Sequence, residues 1–141
     1  MELEATLATV PLLASLDKRT LASLADRAKV RTYEAGDAIV TQDAPAAALY
    51  VILTGHADVE RGHGVSTGLL GQLGPGDFFG ELALIEEHAR TATVRATEHT
   101  ECVLFVAWEF TALLKEYPQI AIPIMYALIA RIHRREQHPL D

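Results

Sequence analysis

The chain has 141 residues, half of them hydrophobic, with 12 Lys and Arg against 19 Asp and Glu and a formal charge of −7. That length suits one compact domain with a proper core, and the acidic balance argues against nucleic acid and anionic membrane as partners, since Arg131 to Arg135 is the one short basic patch. Cys102 is the single cysteine, which excludes an internal disulfide and a clustered thiolate metal site and fits a reducing cytoplasm. MELEATLATV lacks the basic start and long apolar segment of a secretory signal, and the longest apolar run, Ile120 to Ala130, is too short for a bilayer, so a cytoplasmic, soluble protein is expected.

In chain order, Leu7, Val10, Leu13 and Leu16, followed by Leu21, Leu24 and Ala28, have helical spacing, with Asp17 as the N-cap of the second piece. From Lys29 to Ala107 the pattern changes to short segments rich in Val, Ile, Thr, Tyr and Phe. These are punctuated by Gly36-Asp37, Asp43-Ala44-Pro45, Thr54-Gly55, Gly62 to Gly68 and Gly74-Pro75-Gly76-Asp77, which predicts a small β-sandwich or roll. Leu49 to Leu53 reads as a buried strand and Ala57 to Glu60 as the next. Cys102, within ECVLFVA, reads as a small buried strand residue.

Helical period returns after Val106, with Trp108 to Tyr117 as one helix ended by Pro118. A last helix starts near Pro118, a residue tolerated in a first turn, and carries Ile122, Met125, Ile129 and Ile132 at steps of three and four. Pro123 lies inside it and predicts a kink or a late start.

The stretch FGELALIEEHARTATVRA, Phe79 to Ala96, carries the chemistry. A helical turn over Glu81 to Leu84, led in by Gly80, would point unpaired amide N–H groups outward as a cradle for an anion. Arg90, beyond a short loop, offers a planar fork of donors that grips two phosphate oxygens at once. Glu81 beside a phosphate needs a partner that donates, and a carboxylate only accepts, so a sugar hydroxyl fits. Phosphate and ribose hydroxyl together point to a nucleotide. The bland alternative is a structural ion pair between Glu81 and Arg90.

These residues resemble the phosphate-binding cassette of cyclic nucleotide-binding domains, which runs Phe-Gly-Glu-Leu-Ala-Leu, a short variable loop, then Arg, a small or hydroxyl residue, Ala, Thr or Ser, and Val. The matching positions are Phe79, Gly80, Glu81, Leu82, Ala83 and Leu84, then Arg90, Thr91, Ala92, Thr93 and Val94. LYVILTGHADV resembles the family's second strand pair, LGPGDFFGE its turn into the cassette, and EFTALLKEYPQIAIPIMYALIARI its closing helices. The family is that of catabolite activators and protein kinase A regulatory subunits. The resemblance implies a mainly β fold, an eight-stranded jelly-roll-like β-roll or double-stranded β-helix flanked by N-terminal and C-terminal helices. It also implies one domain over 1–141: helices over 1–28, the roll over 29–107 with its cassette at 79–94, and hinge or lid helices over 108–141.

Carried over residue by residue, Glu81 accepts from the ribose 2′-hydroxyl, Arg90 pairs with the cyclic phosphate, and Gly80 with the amides of Leu82, Ala83 and Ala92 forms the cradle. Thr91 touches the phosphate, and Leu70 faces the base or ribose. Cyclic AMP is favoured over cyclic GMP as the ligand, and neither a cofactor nor a metal is implied. Ala89 stands where many members have Pro, and Glu86 and Glu87 trim the local positive potential. Ile132 and Arg135 occupy the region from which relatives cap the base. The role implied is that of a regulatory sensor, not an enzyme, with the final helix folding over the nucleotide, pairing with a second copy, or packing into the core. No residue pattern names the recipient of the signal.

Three other readings stand beside it. A cupin-like metal-dependent barrel enzyme needs several histidines on neighbouring strands, and His56, His63, His88, His99, His133 and His138 occur singly. A degenerate domain would keep the fold without the ligand. The effector part of a transcription regulator would need a helix-turn-helix after the last helix, so no nucleic acid is expected for this chain alone.

Overall fold

The computed structural model describes residues 2–10, 13–43, 48–62, 68–80, 92–126 and 129–130. They fall into two units, Arg27–Phe110 and the pair of segments Met1–Asp26 and Thr111–Asp141.

The first unit is a roll of strands whose β-branched and aromatic residues alternate with turns. Among the described residues these are β1 (Lys29–Tyr33), β2 (Ala38–Val40), β3 (Ala48–Thr54), β4 (Ala57–Arg61), β5 (Gly68–Leu73), β6 (Phe78–Phe79), β7 (Thr93–Ala96) and β8 (Thr100–Val106). They form two antiparallel sheets in the orders β1-β8-β3-β6 and β2-β7-β4-β5, the strand order of a jelly roll. The expected strand region, Lys29 to Ala107, therefore starts with β1 and ends where the next helix begins.

The LYVIL run is the middle of β3, and its residues Leu49, Tyr50, Val51 and Ile52 are all buried, which is why its apolar residues are continuous rather than alternating. Tyr50 and Ile52 join Ile39, Ala57, Phe79, Val94, Ala96, Cys102 and Leu104 in the core between the sheets. On the other face of the same sheet Phe105 meets Phe110 edge-on, with ring centroids 5.5 Å apart.

Four turns carry the chain from one sheet to the other at one end of the roll: 34–37, 55–56, 74–77 and 97–99. In the third, Pro75 and Gly76 (φ +89°) are the central residues, and the Asp77 N–H donates to the Gly74 carbonyl at 3.0 Å, a type II turn. Gly55 also has a positive φ, +91°, and a methyl group on it would collide with Thr100 Oγ1 and the His99 carbonyl.

In the second unit, α1 (Glu2–Ala8) is shorter than the spacing of Leu7, Val10, Leu13 and Leu16 predicts. Those four residues are buried, but the N–H groups of Val10, Leu13 and Leu16 donate to the carbonyls of Leu7, Val10 and Leu13. Repeated three-residue turns produce the same i, i+3 period as an amphipathic helix. α2 (Lys18–Arg27) starts as expected, with Asp17 Oδ1 accepting the Thr20 N–H at 2.8 Å. The Thr20 hydroxyl first, and then this N–H, hold the Asp17 carboxyl below its usual range.

α3 (Ala107–Glu116) stops just before Pro118, the first residue of a 3-10 turn, Pro118–Ile120. Ser23 Oγ lies 3.0 Å from Tyr117 Oη, and Gln119 Nε2 donates to Thr20 Oγ1 at 3.3 Å. Residues 121–126 are helical. This late start puts Pro123 in a first turn, where its missing N–H costs no intrahelical bond.

Candidate functional site

The chain approaches residue 81 through packed apolar structure. Phe79 pairs with Tyr50 and Phe78 with Val51 across β6 and β3, and the Phe79 and Tyr50 rings stack with centroids 5.1 Å apart and planes 2° off parallel. The preceding turn is tied to the same strand: Ile52 N–H donates to the Asp77 carbonyl at 2.9 Å, and Gly76 N–H to the Ile52 carbonyl at 2.8 Å. Gly80 follows β6 with φ +84°, a conformation that favours glycine, so the chain turns sharply there.

The chain leaves the segment through Ala92, partly buried in a bend, and enters β7, the strand between β2 and β4. Val94 and Ala96 point into the core, whereas Thr93 and Arg95 face out. Arg95 Nε lies 3.2 Å from Glu60 Oε1, and Arg95 Nη1 donates to the Gly36 carbonyl at 3.0 Å. Thr93 Oγ1 accepts the Gln42 N–H at 2.9 Å.

Leu70 sits on β5, 43% exposed beside the 60% exposed Leu69. Pairing slips between Val59, opposite Gly71, and Glu60, opposite Leu69, so Leu70 is the extra residue of a β-bulge. Bulges re-aim side chains beside functional sites.

Of the expected site residues, Gly80, Ala92 and Leu70 thus have described positions. Glu81, Leu82, Ala83, Arg90 and Thr91, with the two base-cap candidates Ile132 and Arg135, lie outside the described residues.

Cys102 is fully buried, and burial, followed by the nearby Glu101 charge, pushes its thiol up to about 12, which leaves it protonated and unreactive. Among the described residues no three His, Cys, Asp or Glu side chains are grouped to hold a metal. His56 and His99 instead pair with carboxylates: His56 Nδ1 is 2.8 Å from Glu98 Oε2, and His99 Nδ1 is 3.0 Å from Glu34. Sequence spacing hides both pairs because their members are brought together by different turns. Both histidines sit in turn segments, and that is the signal that could have been used.

Strand order, the type II turn and the glycine-led segment that follows it define a jelly-roll domain with a candidate ligand segment between β6 and β7. The chain belongs to the cyclic nucleotide-binding domain family, whose sequence profile matches residues 30–117. It is 37% identical over 111 residues to the cAMP-dependent protein kinase regulatory subunit of Schizosaccharomyces pombe, covering 79% of this chain and 26% of that protein. It is 35% identical over 112 residues to the cyclic AMP receptor protein of Thermus thermophilus, covering 79% of this chain and 51% of the relative. The crystal structure of Thermus thermophilus catabolite activator protein superposes with a TM-score of 0.79 at 32% identity, over 93% of this chain and 62% of that one. The chain therefore spans only part of the length of these relatives. No described helix is long and apolar enough to cross a membrane.

Proposed function

We propose that the chain is a regulatory sensor that binds one cyclic nucleotide, cyclic AMP in preference to cyclic GMP. The observation that carries this reading is the family match over residues 30–117, which includes the full run from Phe79 to Leu84 and from Arg90 to Val94. In the proposed site Arg90 grips the cyclic phosphate with two parallel N–H bonds, and amides at Leu82, Ala83 and Ala92 supply further donors. Glu81 accepts from the ribose 2′-hydroxyl, Thr91 donates to the phosphate, and Leu70 covers the base or ribose. Such local donors are what a chain of charge −7 needs in order to hold an anion. Cyclic AMP is preferred because relatives bear its name.

The proposed role involves no chemistry on the ligand and needs neither cofactor nor metal. Binding favours one arrangement of the helices beyond β8 over another, and only that difference in affinity can transmit a signal. Residues 1–141 act as one such domain, working in the cytoplasm and without nucleic acid of its own. Ile122 and Met125 on the helical residues 121–126, and Ile129 after them, are exposed, which supports use of this region as a lid or as a contact with a second copy. Native mass spectrometry of freshly purified protein, with and without added cyclic AMP, tests the reading. One nucleotide mass per chain is expected; a protein that takes up no cyclic nucleotide at millimolar ligand contradicts it.

A further inference from the structure

Three strands of the second sheet stop at the same place: β2 at Val40, β4 at Arg61, and β7, which lies between them, at its first residue, Thr93. Beyond that line the backbone ladder can no longer hold the chain, although Arg90 is only three residues before Thr93. Gln42 occupies the gap. Its backbone N–H donates to Thr93 Oγ1 at 2.9 Å, while its side-chain Oε1 accepts the Gly62 N–H at 3.0 Å. Gln42 follows β2 and Gly62 follows β4, so the glutamine reaches from one flanking strand to the other across the start of the middle one. Both bonds are partly buried, and Gly62 adopts φ +136°, which aims its N–H as few other residues can.

We infer that Gln42 and Thr93 form a polar strap that positions Arg90 for the phosphate without touching the ligand. The role rests on the functional reading above. The strap does for the chain leaving the ligand segment what the Phe79–Tyr50 stack does for the chain approaching it. An arginine on a flexible three-carbon stem gains from a fixed backbone, because orienting the guanidinium fork then costs less on binding.

The test compares Thr93→Val, Thr93→Ser and Gln42→Met with the wild type. Valine keeps the shape and the strand preference of threonine but removes the acceptor, serine keeps the acceptor, and methionine keeps the length of glutamine without its oxygen. Calorimetry with cyclic AMP and, separately, with adenosine reads phosphate-dependent affinity against base-dependent affinity, and thermal melting checks the fold. Thr93→Val and Gln42→Met should each weaken cyclic AMP roughly five- to twentyfold. Adenosine affinity should be unchanged, the ligand-free melting midpoint should fall by no more than about 5 °C, and Thr93→Ser should bind as the wild type does. The double variant should lose little more than either single one, because both bonds belong to one strap. Unchanged cyclic AMP affinity in Thr93→Val, or an equal loss for adenosine, overturns the strap while leaving the sensor reading intact. A wild type that binds neither compound overturns both.

Discussion

The two ends of the roll are built differently. At one end the connections are the short turns 34–37, 55–56, 74–77 and 97–99; at the other they are the longer stretches 41–47, 62–67 and 80–92. The short-turn end is cross-linked throughout. Gly36 N–H donates to the Ala96 carbonyl at 2.8 Å, Ala96 N–H to the Asp37 carbonyl at 2.9 Å, and Thr97 N–H to the His56 carbonyl at 3.0 Å. Thr100 Oγ1 adds a bond to the same carbonyl at 3.1 Å. The long-connection end supplies the residues proposed to hold the ligand. Short turns joined by hydrogen bonds suit a scaffold, and longer connections are where binding residues usually lie. Changes at the short-turn end should therefore alter stability, and changes at the other end should alter affinity.

The largest expected loss of stability comes from Phe79→Ala, which empties a core site where the two regions meet. Deleting a buried aromatic side chain costs about 3–5 kcal/mol, and denaturant titration should show the midpoint falling with an unchanged slope. A loss below about 1 kcal/mol would mean that the stack with Tyr50 does not anchor the approach to residue 81.

Gly55→Ala probes the rigid end itself. The positive φ and the collision with Thr100 and the His99 carbonyl make the change cost more than about 1 kcal/mol. Nucleotide affinity measured well below the new midpoint should stay within about twofold of wild type. Equal losses in stability and affinity would erase the distinction between the ends.

The smallest effect is electrostatic. Glu34, by its hydrogen bond first and then its charge, raises the His99 pKa above 6.5, with Glu101 adding to it. Protonation thus favours the folded state. The pair's contribution is fully present below the unfolded value of 6.5 and is lost as pH rises through the higher folded value. Both side chains are exposed, so the change is slight. Melting curves from about pH 5.5 to about pH 8.5 should show a shallow fall in the wild type that flattens in Glu34→Gln. Identical slopes would remove the pair from the account.

Much of this division is legible in the sequence. Glycine and proline mark three of the four short turns, Thr97-Glu98-His99 having neither, while the LYVIL run announces a strand buried on both faces and Asp17 marks the start of α2. Local chemistry decides such features, so spacing reveals them. The stretch from Val10 to Leu16 is different, because a run of three-residue turns and an amphipathic helix place leucines at nearly the same interval. The pairs His56–Glu98 and His99–Glu34 join residues 42 and 65 positions apart and depend on how the turns assemble. Gln42 likewise acquires its partners only when three strands end side by side. The family pattern names Gly80 and Leu70 as candidates, whereas the bulge that carries Leu70 arises from a pairing slip that no local signal announces.

In the proposed site a single guanidinium and neighbouring donors hold a cyclic phosphate on an acidic protein. Isothermal calorimetry with cyclic AMP on the wild type and on Arg90→Ala tests it most directly. The wild type should bind one nucleotide per chain saturably, and the variant should lose roughly 2–5 kcal/mol, the range for removing one member of a desolvated charged pair. Equal affinities in the two proteins would contradict it.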